Sequence, residues 1–173
     1  MEFEFLVQDG VGAARAREVA GVRTIALKLR DALAASGASD ALAQIAPIGG
    51  TSHEVDAVVR PIAESLGFTS QRKDLFADYP TRLRPDWFRT VGTSGILLEV
   101  ERGKTLTNNM DLLNLWKCHI CREAHHLFLV VPLKVQRTNG TESVYSRVVS
   151  RMHTFVMPEN KVDVVSIAVL GYA

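Results

Sequence analysis

Several common features are scarce or missing in this chain, and each absence narrows what it can be. Two cysteines in 173 residues exclude a disulfide framework, and their presence as Cys118 and Cys121 suits a reducing compartment. There is no run of about 18 apolar residues, which excludes a membrane-spanning helix. The start, MEFEFLVQDG, is acidic and lacks the basic opening and apolar core of a signal peptide, so a cytoplasmic protein is expected. Charge of one sign is lacking too: 20 Lys and Arg stand against 19 Asp and Glu, for a net charge of +1. Any polyanion would have to be held by a local basic patch. No Gly-rich phosphate loop, nucleophile elbow, internal repeat or low-complexity tract occurs. What is there is ordinary: 47% hydrophobic and 23% charged residues, enough for one globular domain with a real core.

The stretch Arg84 to Lys104, RPDWFRTVGTSGILLEVERGK, organises the rest. A short apolar-aromatic run, Trp87-Phe88, follows Pro85-Asp86, and a second run extends from Ile96 to Glu101. The four-residue Gly92–Gly95 connection between them predicts a β-hairpin. Folding the chain at the middle of that turn brings Asp86 opposite Glu99 or Glu101. Residues two apart on a strand share a face, so Glu99 and Glu101 point the same way. Three carboxylates crowded on one half-buried patch repel each other and are costly to desolvate unless something positive sits among them. A divalent cation with oxygen ligands is one answer, since Mg²⁺ typically takes one or two carboxylates plus waters and phosphate. The other is a solvated hairpin whose acids pair with Arg84, Arg89, Arg102 and Lys104. Those residues, with Arg72, Lys73 and Arg82, form the basic patch that flanks the acids.

Elsewhere, Glu2 to Gln8 alternates and predicts a short strand. Val22, Ile25, Ala26, Leu29 and Leu33 recur at helical spacing between Val11 and Ser36, and a second short helix spans Asp40 to Ala46. A helix from Thr51 or Ser52 buries Val55, Val58, Val59, Ile62 and Leu66, with Pro61 inside it. Phe68 to Lys73 reads as a strand and Asp74 to Leu83 as a loop. Met110 to His126 reads as a helix with Leu113, Ile120 and Ala124 on its apolar face and Lys117 within that face. Leu127 to Leu133 is a continuous apolar run, the mark of a strand buried on both sides. Thr138 to Thr141 is a turn. Helical spacing follows from Glu142 to Pro158, with a hairpin partner strand as the alternative that Asn-Gly signals. Val162 to Val169 closes the chain as a buried strand.

This order of helix, carboxylate-bearing hairpin, helix and buried strand resembles the PD-(D/E)xK nuclease superfamily. The resemblance implies an α/β fold: a restriction-endonuclease-like mixed β-sheet flanked by helices, with an N-terminal helical extension. It covers roughly Ser52 to Val169, so residues 1–50 are the extension and 51–173 the core of a single domain. Pro85-Asp86 matches the first half of the motif and Glu99-Val100-Glu101 occupies the second, with Glu101 where the family has lysine. Motif identity is confined to Asp86 and Glu99.

The resemblance implies hydrolysis of DNA phosphodiester bonds, with Asp86, Glu99 and the Val100 carbonyl holding Mg²⁺, for which Mn²⁺ can substitute. Glu101 would orient the attacking water, accept its proton or ligate a second metal. Lys117, 18 residues after Glu99, would be the displaced lysine. Glu54, on the first core helix, would reach the metal directly or through water; its alternative role is to complement the helix dipole. Arg84, Arg89 and Lys104 would grip backbone phosphates without base preference. Superfamily nucleases often pair to cut both strands, so a homodimer through the Ala-rich N-terminal helices is consistent with the resemblance. The competing reading is a non-catalytic member, a nucleic-acid-binding or protein-interaction module, which the missing motif lysine favours.

Cys118, Cys121 and His125 form a second cluster. On one helix they fall within an arc of roughly 60°, which would gather three zinc ligands. The arc also borders the apolar face, where a half-buried cysteine packs as a small hydrophobe, and packing is the preferred reading.

Overall fold

The computed structural model describes residues 1–45, 52–70, 74–79, 83–138 and 140–173. Its main sheet has six strands: β1 (Glu2–Val7), β2 (Thr69–Ser70), β3 (Trp87–Val91), β4 (Ser94–Val100), β5 (His126–Pro132) and, last in the chain, β8 (Ser166–Tyr172). Their spatial order is β1-β8-β5-β4-β3-β2. β4, β5 and β8 run parallel, and β1 and the β3–β2 pair flank them antiparallel. Every residue of β4, β5 and β8 is buried, as expected for strands with a helical layer on each face.

One layer is formed by α1 (Ala13–Ala34), α2 (Ser36–Ile45) and α3 (Ser52–Ser65). Val22, Ala26, Leu29 and Leu33 of α1 and Val55 and Val59 of α3 meet Ile96, Leu98, Phe128 and Ala168 of the sheet in one core. The other layer is α4 (Met110–Ile120) and α5 (Val144–Val156), packed on Leu97, Leu127, Leu129 and Ile167. The N-terminal segment expected as an extension supplies the edge strand β1, paired to β8, and shares the core of α3 through α1. His126 pins α1 further: its Nε2 lies 3.1 Å from Glu18 Oε1, and its Nδ1 2.8 Å from Ser166 Oγ. No helix among the described residues is long and apolar enough to cross a membrane.

Three expectations need correction. The hairpin turn is the two-residue Gly92-Thr93, since Val91 already pairs with Ser94. Gly92 has φ +56°, the left-handed conformation that two-residue hairpin turns require. The helix expected to reach His126 stops at Ile120, because His126 is the first rung of β5, paired to both Ile96 and Ser166. The helix expected from Glu142 starts later, and Asn139 of the expected turn lies outside the described residues. Lys134–Arg137 and Gly140–Ser143 form a small hairpin, β6–β7, before α5 begins at Val144. Of the strand expected over Phe68 to Lys73, Thr69–Ser70 pairs with β3, and residues 71–73 lie outside the described part.

Gly95 shows how tightly the hairpin is packed. A Cβ there would stand 2.7 Å from the Glu123 carbonyl oxygen and would overlap the Phe88 ring. Gly95→Ala is therefore expected to lower stability by about 1–3 kcal/mol through overpacking, as read by urea denaturation.

Candidate functional site

The β3–β4 register sets the site. Trp87 pairs with Leu98, so Asp86, just before β3, comes beside Glu99. Asp86 Oδ2 accepts the Val100 N–H at 2.9 Å. In a strand the N–H and C=O of one residue point to the same edge, so the Val100 carbonyl also faces the Asp86 side. Leu97, Glu99 and Glu101 share the face beneath α4. That helix buries only part of the face expected for it: Ile120 and Ala124 pack on the core and Lys117 is inside. Leu113 and Trp116 are exposed, while Asp111, Asn114, Leu115, Lys117 and Cys118 point inward. Three polar residues at helical spacing thus face the acids of β4. Lys117 Nζ lies 2.7 Å from Glu99 Oε2 and 3.4 Å from the Arg84 carbonyl oxygen. Asn114 Nδ2 donates to Glu101 Oε1 at 2.7 Å.

Asp86, Glu99, Val100, Glu101 and Lys117 line one cavity of about 380 Å³ with His53, Asp56, Arg60 and Trp87. A second cavity of about 390 Å³, lined by Arg102, Lys104 and Asn108, shares Glu101 and Met110 with it. Burial pushes Glu99 up to about 8, opposed chiefly by Lys117 and reinforced by Asp86. Burial pushes Glu101 up to about 7, opposed first by the Asn114 hydrogen bond. Asp86 is also raised by burial, against the Val100 hydrogen bond and Lys117.

The other sequence-predicted residues fall as follows. Glu54 is solvent-exposed in the first turn of α3 and is not among the cavity's lining residues; Asp56 is. Asp56 Oδ1 accepts the Trp87 indole N–H at 3.0 Å, and its Oδ2 pairs with Arg60 at 2.6 Å. Asp56 was missed from sequence, although its spacing from Arg60 and the need of a buried Trp87 for an acceptor were both legible. The Arg84 side chain is exposed. Arg89 donates to the Leu66 carbonyl at the end of α3, so its guanidinium serves a helix C-terminus. Lys104 is exposed and lines the second cavity. Arg72, Lys73 and Arg82 lie outside the described residues.

The cysteine cluster loses the helix it was read on. His125 lies beyond α4, and its Nδ1 is 2.8 Å from Ser94 Oγ. Cys118 and Cys121 are buried in the core beneath α4, and Cys118 Sγ donates to the Ala124 carbonyl. Burial raises both thiols above their ordinary range.

Among the described residues, no three His, Cys, Asp or Glu side chains are gathered so as to hold a metal ion. The donors around Glu99 nevertheless suit a hard divalent cation. Glu99 Oε1 is buried without a hydrogen-bond partner among the described residues, and the Asp86 carboxylate and Val100 are beside it. All are oxygen donors, of the number Mg²⁺ takes from protein.

The fold is similar to one in a solved structure, the crystal structure of restriction endonuclease BglII complexed with a DNA 16-mer. The TM-score is 0.50 at 13% identity, over 100% of this chain and 78% of that one. The chain thus has a restriction-endonuclease-like mixed sheet flanked by helices. No known family profile matches its sequence, and neither does any curated protein.

Proposed function

We propose that this chain is a Mg²⁺-dependent nuclease that hydrolyses DNA phosphodiester bonds, a PD-(D/E)xK variant with Glu101 in the place of the lysine. The observation that carries the reading is the meeting of Asp86, Glu99 and Lys117 in one cavity, with a buried Glu99 oxygen left unpartnered. Asp86, Glu99 and the Val100 carbonyl would hold the ion, and Mn²⁺ fits the same donors. Bound there, it would polarise the scissile phosphate and acidify a water. Lys117 stabilises negative charge that develops on the phosphoryl oxygens, and Glu101 takes the proton of the attacking water. Asp56, which lines the cavity, is better placed than Glu54 to hold a water at the ion. Lys104, in the adjoining cavity, holds a neighbouring backbone phosphate. The test is supercoiled plasmid DNA incubated with Mg²⁺, with Mn²⁺ and with chelator. Cleavage that needs the metal is expected; none under any condition overturns the reading.

The same reading fixes a pH dependence. Folded Glu99 and Glu101 keep their protons up to about 8 and about 7, against an ordinary 4.5. Their contribution to stability is full below 4.5 and is lost as pH rises through 7 to 8. A cation that needs Glu99 ionised acts in the opposite sense. Saturating Mg²⁺ is expected to raise Tm by about 3–5 °C near pH 8.5 and by almost nothing near pH 5. An equal shift at both values means that the ion binds elsewhere.

A second reading keeps the fold and drops the chemistry: a DNA-binding or protein-interaction module. It is favoured by the Glu99–Lys117 ion pair, which neutralises the acids without a metal. DNA binding without metal that is unchanged in Glu99→Ala, together with no cleavage, is the result that selects it.

A further inference from the structure

Asn114 is hard to explain as packing. It is fully buried on α4, between Asp111 and Lys117 at helical spacing, and carries no charge with which to pair as they do. Its Nδ2 donates to Glu101 Oε1 at 2.7 Å, and its own Oδ1 has no hydrogen-bond partner among the described residues. An apolar side chain of the same shape would avoid burying that unpartnered oxygen. The amide is therefore committed to one contact, with Glu101.

That contact has a geometric consequence. The Glu101 backbone is clamped on both sides: its N–H donates to the Val130 carbonyl at 2.8 Å, and its carbonyl accepts the Tyr172 hydroxyl at 2.9 Å. With Oε1 held by Asn114, Oε2 is the oxygen left for the cavity that Glu101 lines. We propose that Asn114 is a positioning residue of the nuclease site, whose amide holds Glu101 so that Oε2 takes the proton of the water attacking phosphorus. This rests on the nuclease reading. In the step, the water oxygen bonds to phosphorus and its proton passes to Glu101 Oε2. The bond from phosphorus to the leaving ester oxygen breaks, and that oxygen takes a proton from solvent. The charged and titratable groups facing Glu101 are Glu99 on its own strand, Asp86 before β3, Asp111 and Lys117 on α4, and Tyr172 on β8. Asp111 is itself paired with Arg151 of α5 at 3.0 Å. Among the described residues Asn114 is the one neutral donor to the Glu101 carboxylate. It favours the carboxylate without adding a charge that would compete for the metal.

The test compares wild type, Asn114→Leu and Asn114→Asp by steady-state Mg²⁺-dependent DNA cleavage and by the Mg²⁺ concentration that gives half the full rate. In Asn114→Leu, kcat is expected to fall about 10- to 100-fold, with KM and the Mg²⁺ requirement unchanged. Asn114→Asp keeps the shape and loses the donor, so its kcat should fall at least as far, and it serves where the leucine variant does not fold. Wild-type kcat in either folded variant, or a loss confined to KM or to the Mg²⁺ requirement, overturns the positioning role even if wild type cleaves well. Wild type that never cleaves overturns the nuclease reading itself, and the role in the water step falls with it.

Discussion

Asp86→Ala is expected to lower Mg²⁺-dependent DNA cleavage by at least about 100-fold while the protein remains folded, because a direct metal ligand matters at least as much as the groups that support one. The two effects separate because Asp86 contributes little to packing. It precedes β3, is only partly buried, and makes one hydrogen bond, to the Val100 N–H. Losing that bond costs about 1 kcal/mol, and water in the cavity can take its place. Removing Asp86 also takes a repelling charge away from Glu99 and Glu101. Asp86→Asn keeps an acceptor for Val100 and should leave stability unchanged with the same loss of cleavage. Circular dichroism and urea denaturation check the first half, a plasmid assay the second. Cleavage at the wild-type rate by either variant would sink the role of Asp86 in holding the ion.

Lys117→Met is expected to have the largest effect on stability, and one that depends on pH. Lys117 and Glu99 are both buried, with side-chain exposures of 8% and 2%. Removing one partner of such a pair leaves a buried charge uncompensated, at about 3–5 kcal/mol. That cost is the upper limit, reached only where Glu99 is ionised; without Lys117 its carboxyl rises above the value of about 8 and can take a proton instead, so the loss grows with pH beyond that value. Near pH 5 Glu99 holds a proton, and methionine there replaces a buried ammonium whose other contact is the Arg84 carbonyl. The destabilisation is therefore expected near pH 9 and should largely vanish near pH 5, as measured by denaturant titration at the two values. Equal destabilisation at both would show that packing of the lysine stem, and not its charge, is what matters. Cleavage should be lost in Lys117→Met under all conditions, since no other group of α4 donates to Glu99.

How far these residues could be read beforehand depends on what sets each one. The hairpin carboxylates were legible because strand alternation and a tight turn are local rules, and a two-residue turn instead of a four-residue one leaves Asp86 beside Glu99. The inward position of Lys117 was legible, but the face it belongs to was not. Apolar periodicity placed Leu113 inside, and Ile120 does pack on the core, but Leu113 is exposed and α4 turns Asn114 and Lys117 inward, where buried acids on β4 need a donor and a cation, with Asp111 paired to Arg151 beside them. A helix that serves a polar site violates the pattern by which helices are recognised. Glu54 and Asp56 are two residues apart, and which of them lines the cavity depends on how α3 is rotated on the sheet, a tertiary fact. The end of α4 was misread because Cys121 to His125 contains no Gly or Pro to stop a helix, and only the ladder partners of His126 reveal the boundary.

The pairing of β1 with β8 sets an order of events during synthesis. Glu2 stands opposite Gly171, so the two strands that meet are almost the whole chain apart. Phe3, Phe5 and Leu6 are made before β8 and have no ladder to join until Ser166 to Tyr172 have been translated. Closing so long a loop is entropically slow relative to the hairpin of β3 and β4. A nascent chain would thus pair β3 with β4, and set Asp86 beside Glu99, before the sheet is sealed at its far edge.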